Sequence, residues 1–225
     1  MTPLELVQSH GGRYAAALGI DLAKPNAGER FKWFLAAMLY GARISETLAA
    51  RTWHEFAARD VLTPQIIIAT GWDGLVAILD AGAYVRYDFK TATKLLSVCT
   101  ALLQGYGGSL DALHHAAADA RDLEVRLKAL GKGVGDTTVA IFLRELRGIW
   151  AKAEPPLSPL ALAAAHALGY LRADTLAPEL ALVKLRKVWA NSGQPAAQFA
   201  DFESALVREG LRLRRLDACH MRSKV

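Results

Sequence analysis

The chain has 225 residues, of which 52% are apolar, and a formal charge of +5. That length and apolar content can bury a sizeable core in one large domain or two lobes, while the longest apolar runs, such as "WFLAAMLYGA" (Trp33 to Ala42), are too short to span a bilayer. The charge favours anionic partners such as nucleic acid without requiring one.

Alanine and leucine dominate, and β-branched residues seldom alternate with polar ones, which suits helices packed on helices. The two cysteines, Cys99 and Cys219, lie far apart without metal-ligand spacing and are expected as free thiols of a reducing compartment. "MTPLELVQSH" carries an acid and no apolar segment, so no signal peptide is expected and the location implied is cytoplasmic.

In chain order, the apolar residues Phe31, Phe34, Leu35, Met38 and Leu39 mark one face of a helix ending near Gly41. "ISETLAARTWHEFAARD" predicts a second helix capped by Ser45. "TPQIIIAT" and "WDGLVAILDA" predict two short ones, the second opened by Gly71. A longer helix is expected from about Asp88 to Gly105, then "GGSLDALHHAA" with Ser109 as cap, then "ADARDLEVRLKAL". After "GKGVGD" the pattern resumes in "DTTVAIFLRELRGIW". The loop "AKAEPPLSP" is the strongest punctuation, with Ser158-Pro159 opening the next helix. Two further helices surround "PELALVKLRKVWA" and "QFADFESALVREGLRLRRL". The fold class is all-α.

The glycines of "GKGVGD" raise the question of function. A dinucleotide loop must follow a strand, and here a helix precedes; a P-loop needs Gly-Lys-Ser/Thr, which is missing. A helix–turn–helix corner fits, with Gly133 and Gly135 supplying positive φ. Such a corner leaves backbone N–H groups free before a helix N-terminus, next to Lys132 and the hydroxyls of Thr137 and Thr138. That chemistry suits one DNA phosphate. Asp136 opposes it, since its carboxylate competes for the same donors.

"LKALGKGVGDTTVAIFL" resembles the helix-hairpin-helix of the DNA glycosylase superfamily that includes endonuclease III and MutY. Gly133-Val134-Gly135 match the family core, and Lys132 stands where proline is usual. "FKWFLAAMLYGARISETLAARTWHEF" is similar to the family's first long helix, and "GAYVRYDFKTATKLLSVCTALLQGYGGSL" to the segment before the hairpin. The likeness covers roughly residues 28–170. It implies a two-lobed helical HhH-GPD unit over residues 1–225, with a first lobe over about 28–130 and a hairpin over about 123–150. The helices over about 158–225 would pack with the N-terminal segment, and a base-binding cleft would lie between the lobes.

Three departures mark this chain as divergent. Ser158 occupies the place of the family's catalytic aspartate, and between Thr138 and Ala173 the only carboxylates are Glu145 and Glu154. Thr137 aligns with the lysine of the bifunctional members, so no Schiff-base lyase of the usual kind is implied. The four cysteines of an iron–sulfur cluster are missing.

Glu46 and Asp88 are the candidate replacement carboxylates, with Tyr87 and Lys90 as pocket residues and Arg43, Arg86 and Lys94 as basic neighbours. A helix cap at Asp88 and a solvated first turn at Glu46 explain both equally simply. The DNA-binding set is Lys132, Gly133, Val134, Gly135, Thr137, Thr138 and Arg43, with Arg51, Arg59 and the basic tail from Arg208 onward as weaker contributors. The six histidines show no ligand spacing, so no metal or cofactor is expected. The five tryptophans are assigned mainly to core packing.

Three functions remain open at this level. The first is a monofunctional DNA glycosylase acting on double-stranded DNA as a nucleoid-associated monomer. The second is a noncatalytic binder of damaged or distorted duplex. The third is a helical protein-interaction module.

Overall fold

The computed structural model describes residues 1–172, 174 and 177–222, the last three as backbone only. His220 and the Ser223–Val225 end of the basic tail therefore lie outside the described side chains. The described residues are helical with no strand, and they fall into two compact units. Residues 1–17 join the described residues from 144 onward in a terminal unit, and residues 18–143 form a central unit.

In chain order the helices are α1 (Pro3–His10), α2 (Tyr14–Ala17), α3 (Ala27–Tyr40), α4 (Glu46–Ala58), α5 (Pro64–Ala81) and α6 (Asp88–Tyr106). They continue as α7 (Leu110–Ala116), α8 (Ala120–Ala129), α9 (Asp136–Leu146), α10 (Pro159–Ala167), α11 (Pro178–Asn191) and α12 (Phe199–Arg222). The boundary between the units falls within α9.

Polar caps start most of these helices. The Ser45, Ser109 and Ser158 hydroxyls accept the N–H groups of Leu48, Ala112 and Ala161, as the sequence predicts, and Asn26, Thr63 and Asp119 do the same for α3, α5 and α8. Each such cap contributes about 1 kcal/mol. The two short helices expected on either side of Gly71 are present as the two halves of α5, broken at Gly71, which takes a non-helical φ of 71° and ψ of 175°. Only glycine adopts that pair without strain.

In the central unit α3 is the core helix. Phe31, Trp33, Phe34, Leu35, Met38 and Leu39 are all buried, each contributing about 1.5–3 kcal/mol by leaving water. Trp33 Nε1 donates to the Phe142 carbonyl at 3.1 Å, and the Phe34 and Phe142 rings meet edge-on at 4.9 Å. These contacts tie α9 to α3, and α4, α5 and α6 pack in sequence beyond them.

The terminal unit is built on α12, against which α1, α10 and α11 pack. Trp189 stacks on Phe202 at 5.4 Å, with Leu6, Leu185 and Leu206 around them. Buried ions run through this core. Arg147 donates to Glu203 at 2.8 Å, to Glu154 at 2.8 Å and to the Pro155 carbonyl at 2.6 Å.

Candidate functional site

The corner between α8 and α9 is pinned by Val134. Its side chain is buried, and its N–H donates to the Gly131 carbonyl at 3.1 Å. Val134 thus anchors the turn and does not supply the free donor expected of it. Of the two glycines expected at positive φ, only Gly133 has it, at 97°. A Cβ there would also meet the Lys94 stem at 3.1 Å, whereas a Cβ on Gly135 would meet nothing. Glycine is therefore required at 133 by conformation, with tight space beside the Lys94 stem as a second constraint, and at 135 by neither.

The N–H groups of Gly133 and Gly135 donate to no acceptor among the described residues, so the corner keeps two backbone donors at the head of α9. Thr137 is exposed beside them. Thr138 is not: it is 3% exposed, packed under Gly41, where any side chain would collide with its hydroxyl. Its expected place among the phosphate donors is corrected to a packing role. Asp136 is exposed and paired with Lys128, which offsets its repulsion of an anion.

Behind this corner lies a cavity of about 930 Å³, wholly within the central unit. The end of α3 supplies Gly41, Ala42 and Arg43, the start of α6 supplies Tyr87, Lys90 and Lys94, and the corner supplies Lys132 and Gly133. Its lining holds four cations (Arg43, Lys90, Lys94 and Lys132) and no carboxylate. Low-dielectric walls around one sign of charge strengthen attraction for anions. Tyr84 also lines it, buried, with Thr91 nearby but no hydrogen bond of ordinary geometry to its hydroxyl. Burial pushes that phenol above its ordinary pKa.

Lys94 differs from its neighbours on α6. It is half-buried, and its Nζ donates to the Met38 carbonyl at 3.2 Å. Burial lowers its pKa from 10.5 to about 8, because a charged amine loses hydration there. The unfolded chain therefore binds more protons between about pH 8 and 10.5. Stability rises with pH across that window, and the full penalty is present below it. Lys94→Met should raise the unfolding free energy at pH 7 by about 2 kcal/mol and flatten this rise. Urea unfolding at pH 7 and pH 10 measures both; an unaltered slope would refute the burial of the amine.

The candidate carboxylates do not line this cavity. Glu46 is half-buried in the first turn of α4. Asp88 is buried at the start of α6, where its Oδ1 accepts the Phe89 N–H at 2.7 Å. Its carboxyl also meets that of Asp80 at the end of α5, and desolvation together with this contact raises the Asp80 pKa. Ser158 caps α10 in the terminal unit.

Glu145 near the end of α9 and Glu154 in the loop after it are both held by structural partners. Glu145 is fully buried and accepts the Tyr14 and Ala15 N–H groups at 2.6 and 2.8 Å. Desolvation raises its pKa against the opposing effect of Arg144 and those N–H groups. Glu154 bridges Arg147 and Arg186. The scattered arginines also have local partners: Arg59 pairs with Glu55, Arg51 donates to the Ala81 carbonyl, and Arg86 lies 5.3 Å over the Tyr87 ring.

Sequence reasoning missed the exposed aromatics at the rim. Trp72, assigned to the core, is 39% exposed, and Phe89 is 58% exposed. The break that the sequence places at Gly71 falls directly before Trp72. No group of histidine, cysteine, aspartate and glutamate among the described residues could hold a metal ion, and no helix there is long and apolar enough to cross a membrane. The chain matches no family model, no curated protein and no solved structure.

Proposed function

We propose that this protein binds DNA, holding a backbone phosphate at the α8–α9 corner and drawing adjoining phosphates toward the cationic cavity of the central unit. The observation that carries this reading is the cavity lining, which joins the glycine turn to four cations without a carboxylate. Phosphate contacts of this kind supply affinity and position but little sequence discrimination. The helix-hairpin-helix resemblance adds support, as does a chain whose two ends share one unit while its middle forms the other.

Base excision is the second reading. A cavity of about 930 Å³ walled by Tyr84, Tyr87 and Phe89 has room for an extruded nucleotide. Hydrolysis also needs a carboxylate within hydrogen-bond reach of the reacting atoms, and this lining offers none. Binding without excision is therefore the stronger reading.

The test is the affinity for a duplex containing a stable abasic-site analogue, compared with the intact duplex, at two salt concentrations. Both should bind, more weakly at high salt, and Gly133→Val should weaken both by roughly ten-fold or more, since it strains the corner and displaces Lys94. Gly135→Ala should bind as the unaltered protein does. A strong preference for the abasic duplex, with release of a base from damaged DNA, would return the protein to the excising class. Binding to neither would end the DNA reading.

A further inference from the structure

The rim of the cavity carries an apolar surface that the backbone-binding role does not use. Phe89 is 58% exposed and Val85 62% exposed, and the Trp72 ring lies 5.1 Å from that of Phe89. Two large aromatic side chains in contact with one another and open to water, with exposed Val85 four residues before Phe89, form an apolar surface of the kind that marks a binding site. They are also held in place. Trp72 Nε1 donates to the Thr93 hydroxyl at 3.0 Å, and that hydroxyl donates to the Phe89 carbonyl at 2.9 Å. One hydroxyl thus fixes the indole of α5 against α6, so little side-chain freedom is lost when a ligand covers the pair.

Phe89 and Thr93 are themselves part of the cavity wall, each directly before a lining lysine (Lys90 and Lys94) in sequence. A planar apolar face is therefore continuous with a cationic trough that contains no acid. Two demands fall on an occupant: it must be polyanionic, and it must present flat apolar faces next to its charges. An acidic peptide meets the first demand and not the second, and a second copy of this chain, at +5, is repelled by the trough.

We propose that Phe89 and Trp72 form a stacking platform for unpaired nucleobases, so that the central unit engages single-stranded DNA, with Arg43, Lys90 and Lys132 on its phosphates. This rests on the DNA-binding reading and adds to it the form of DNA preferred at the rim. Stacking on an aromatic face is tolerant of sequence, because every base has a π-face. Tyr84, whose buried hydroxyl has only Thr91 beside it in the same wall, supplies a donor to a base or sugar that enters the cavity.

Labelled single-stranded 12-mers and their duplexes, titrated by fluorescence anisotropy, test this. The full chain should bind the single strand at least as tightly as the duplex. Phe89→Ala should weaken single-strand binding roughly ten-fold, in line with removal of one stacked base, and leave the salt slope unchanged. Phe89→Tyr should restore it. Trp72 is the most exposed of the five tryptophans, the other four being 5% exposed or less, so stacking should also quench the intrinsic fluorescence.

If duplex is bound but Phe89→Ala leaves single-strand affinity within about two-fold, the platform is refuted and the backbone reading survives. If the chain binds neither form, both fall together. A concentration-dependent dimer abolished by Phe89→Ala, with DNA affinity unmoved, would assign the ridge to self-association and overturn the proposal.

Discussion

Arg147→Met should lower the unfolding free energy by about 3–5 kcal/mol, the largest loss expected from a single substitution in the terminal unit. Arg147 is 2% exposed and Glu203 1% exposed, so the guanidinium is the neutralising partner of a carboxylate that water cannot reach. It also donates to Glu154 and to the Pro155 carbonyl. Methionine fills similar space, which keeps the cavity contribution small. What remains is the cost of a buried, uncompensated charge.

The double variant Arg147→Met, Glu203→Gln should recover part of the loss, because it removes the stranded charge along with its partner. Urea unfolding with an unchanged m-value measures both. A loss under about 1 kcal/mol for the single variant would mean that water reaches Glu203 and that the network contributes little.

That network shows where sequence reading stops. Arg147 and Glu203 stand 56 residues apart, and nothing in either local pattern distinguishes them from solvated charges. The helices themselves were legible, because apolar spacing and polar caps are local signals. Ser45, Ser109 and Ser158 each cap as their position implies. Ser158 does so with its hydroxyl already engaged by the Ala161 N–H. Glu145 and Glu154 are as informative in the opposite sense. Each looks available in the sequence, and each is held by partners from distant segments.

At the candidate site the limits are sharper. Gly133 and Gly135 are the same residue two positions apart, and only Gly133 is obligatory, through its φ of 97° with the Lys94 stem of α6 close to where a Cβ would sit. Lys90 and Lys94 lie on one helix face at i, i+4 spacing, yet Lys94 alone reaches the Met38 carbonyl of α3, 56 residues away. Its depressed pKa follows from that tertiary burial and from nothing in its neighbours along the chain. Trp72 fits an apolar stripe by period in the helix that opens after Gly71, and it still faces water at 39% exposure.

The cationic lining makes the other large prediction. Replacing Arg43, Lys90 and Lys132 together by alanine should make the dependence of log affinity on log salt shallower by about 2.7 for duplex DNA, three phosphate contacts at about 0.9 each. Affinity at low salt should fall at least ten-fold, by roughly 1.4 kcal/mol or more. All three side chains are exposed on the cavity rim, so the fold should tolerate their loss. The change takes the formal charge from +5 to +2, and a lower charge anywhere on the chain weakens a polyanion's attraction somewhat.

The decisive comparison is therefore a variant of equal charge, with Arg172, Arg214 and Arg215 of the terminal unit, all exposed, replaced by alanine. A phosphate track at the cavity requires the first triple to flatten the salt slope and the second to leave it nearly as it was. Equal flattening in both would mean that DNA responds to net charge alone, and the cavity would lose its claim to the strand. A slope altered only by the second triple would move the binding surface to the terminal unit and to the exposed arginines near the basic end of α12.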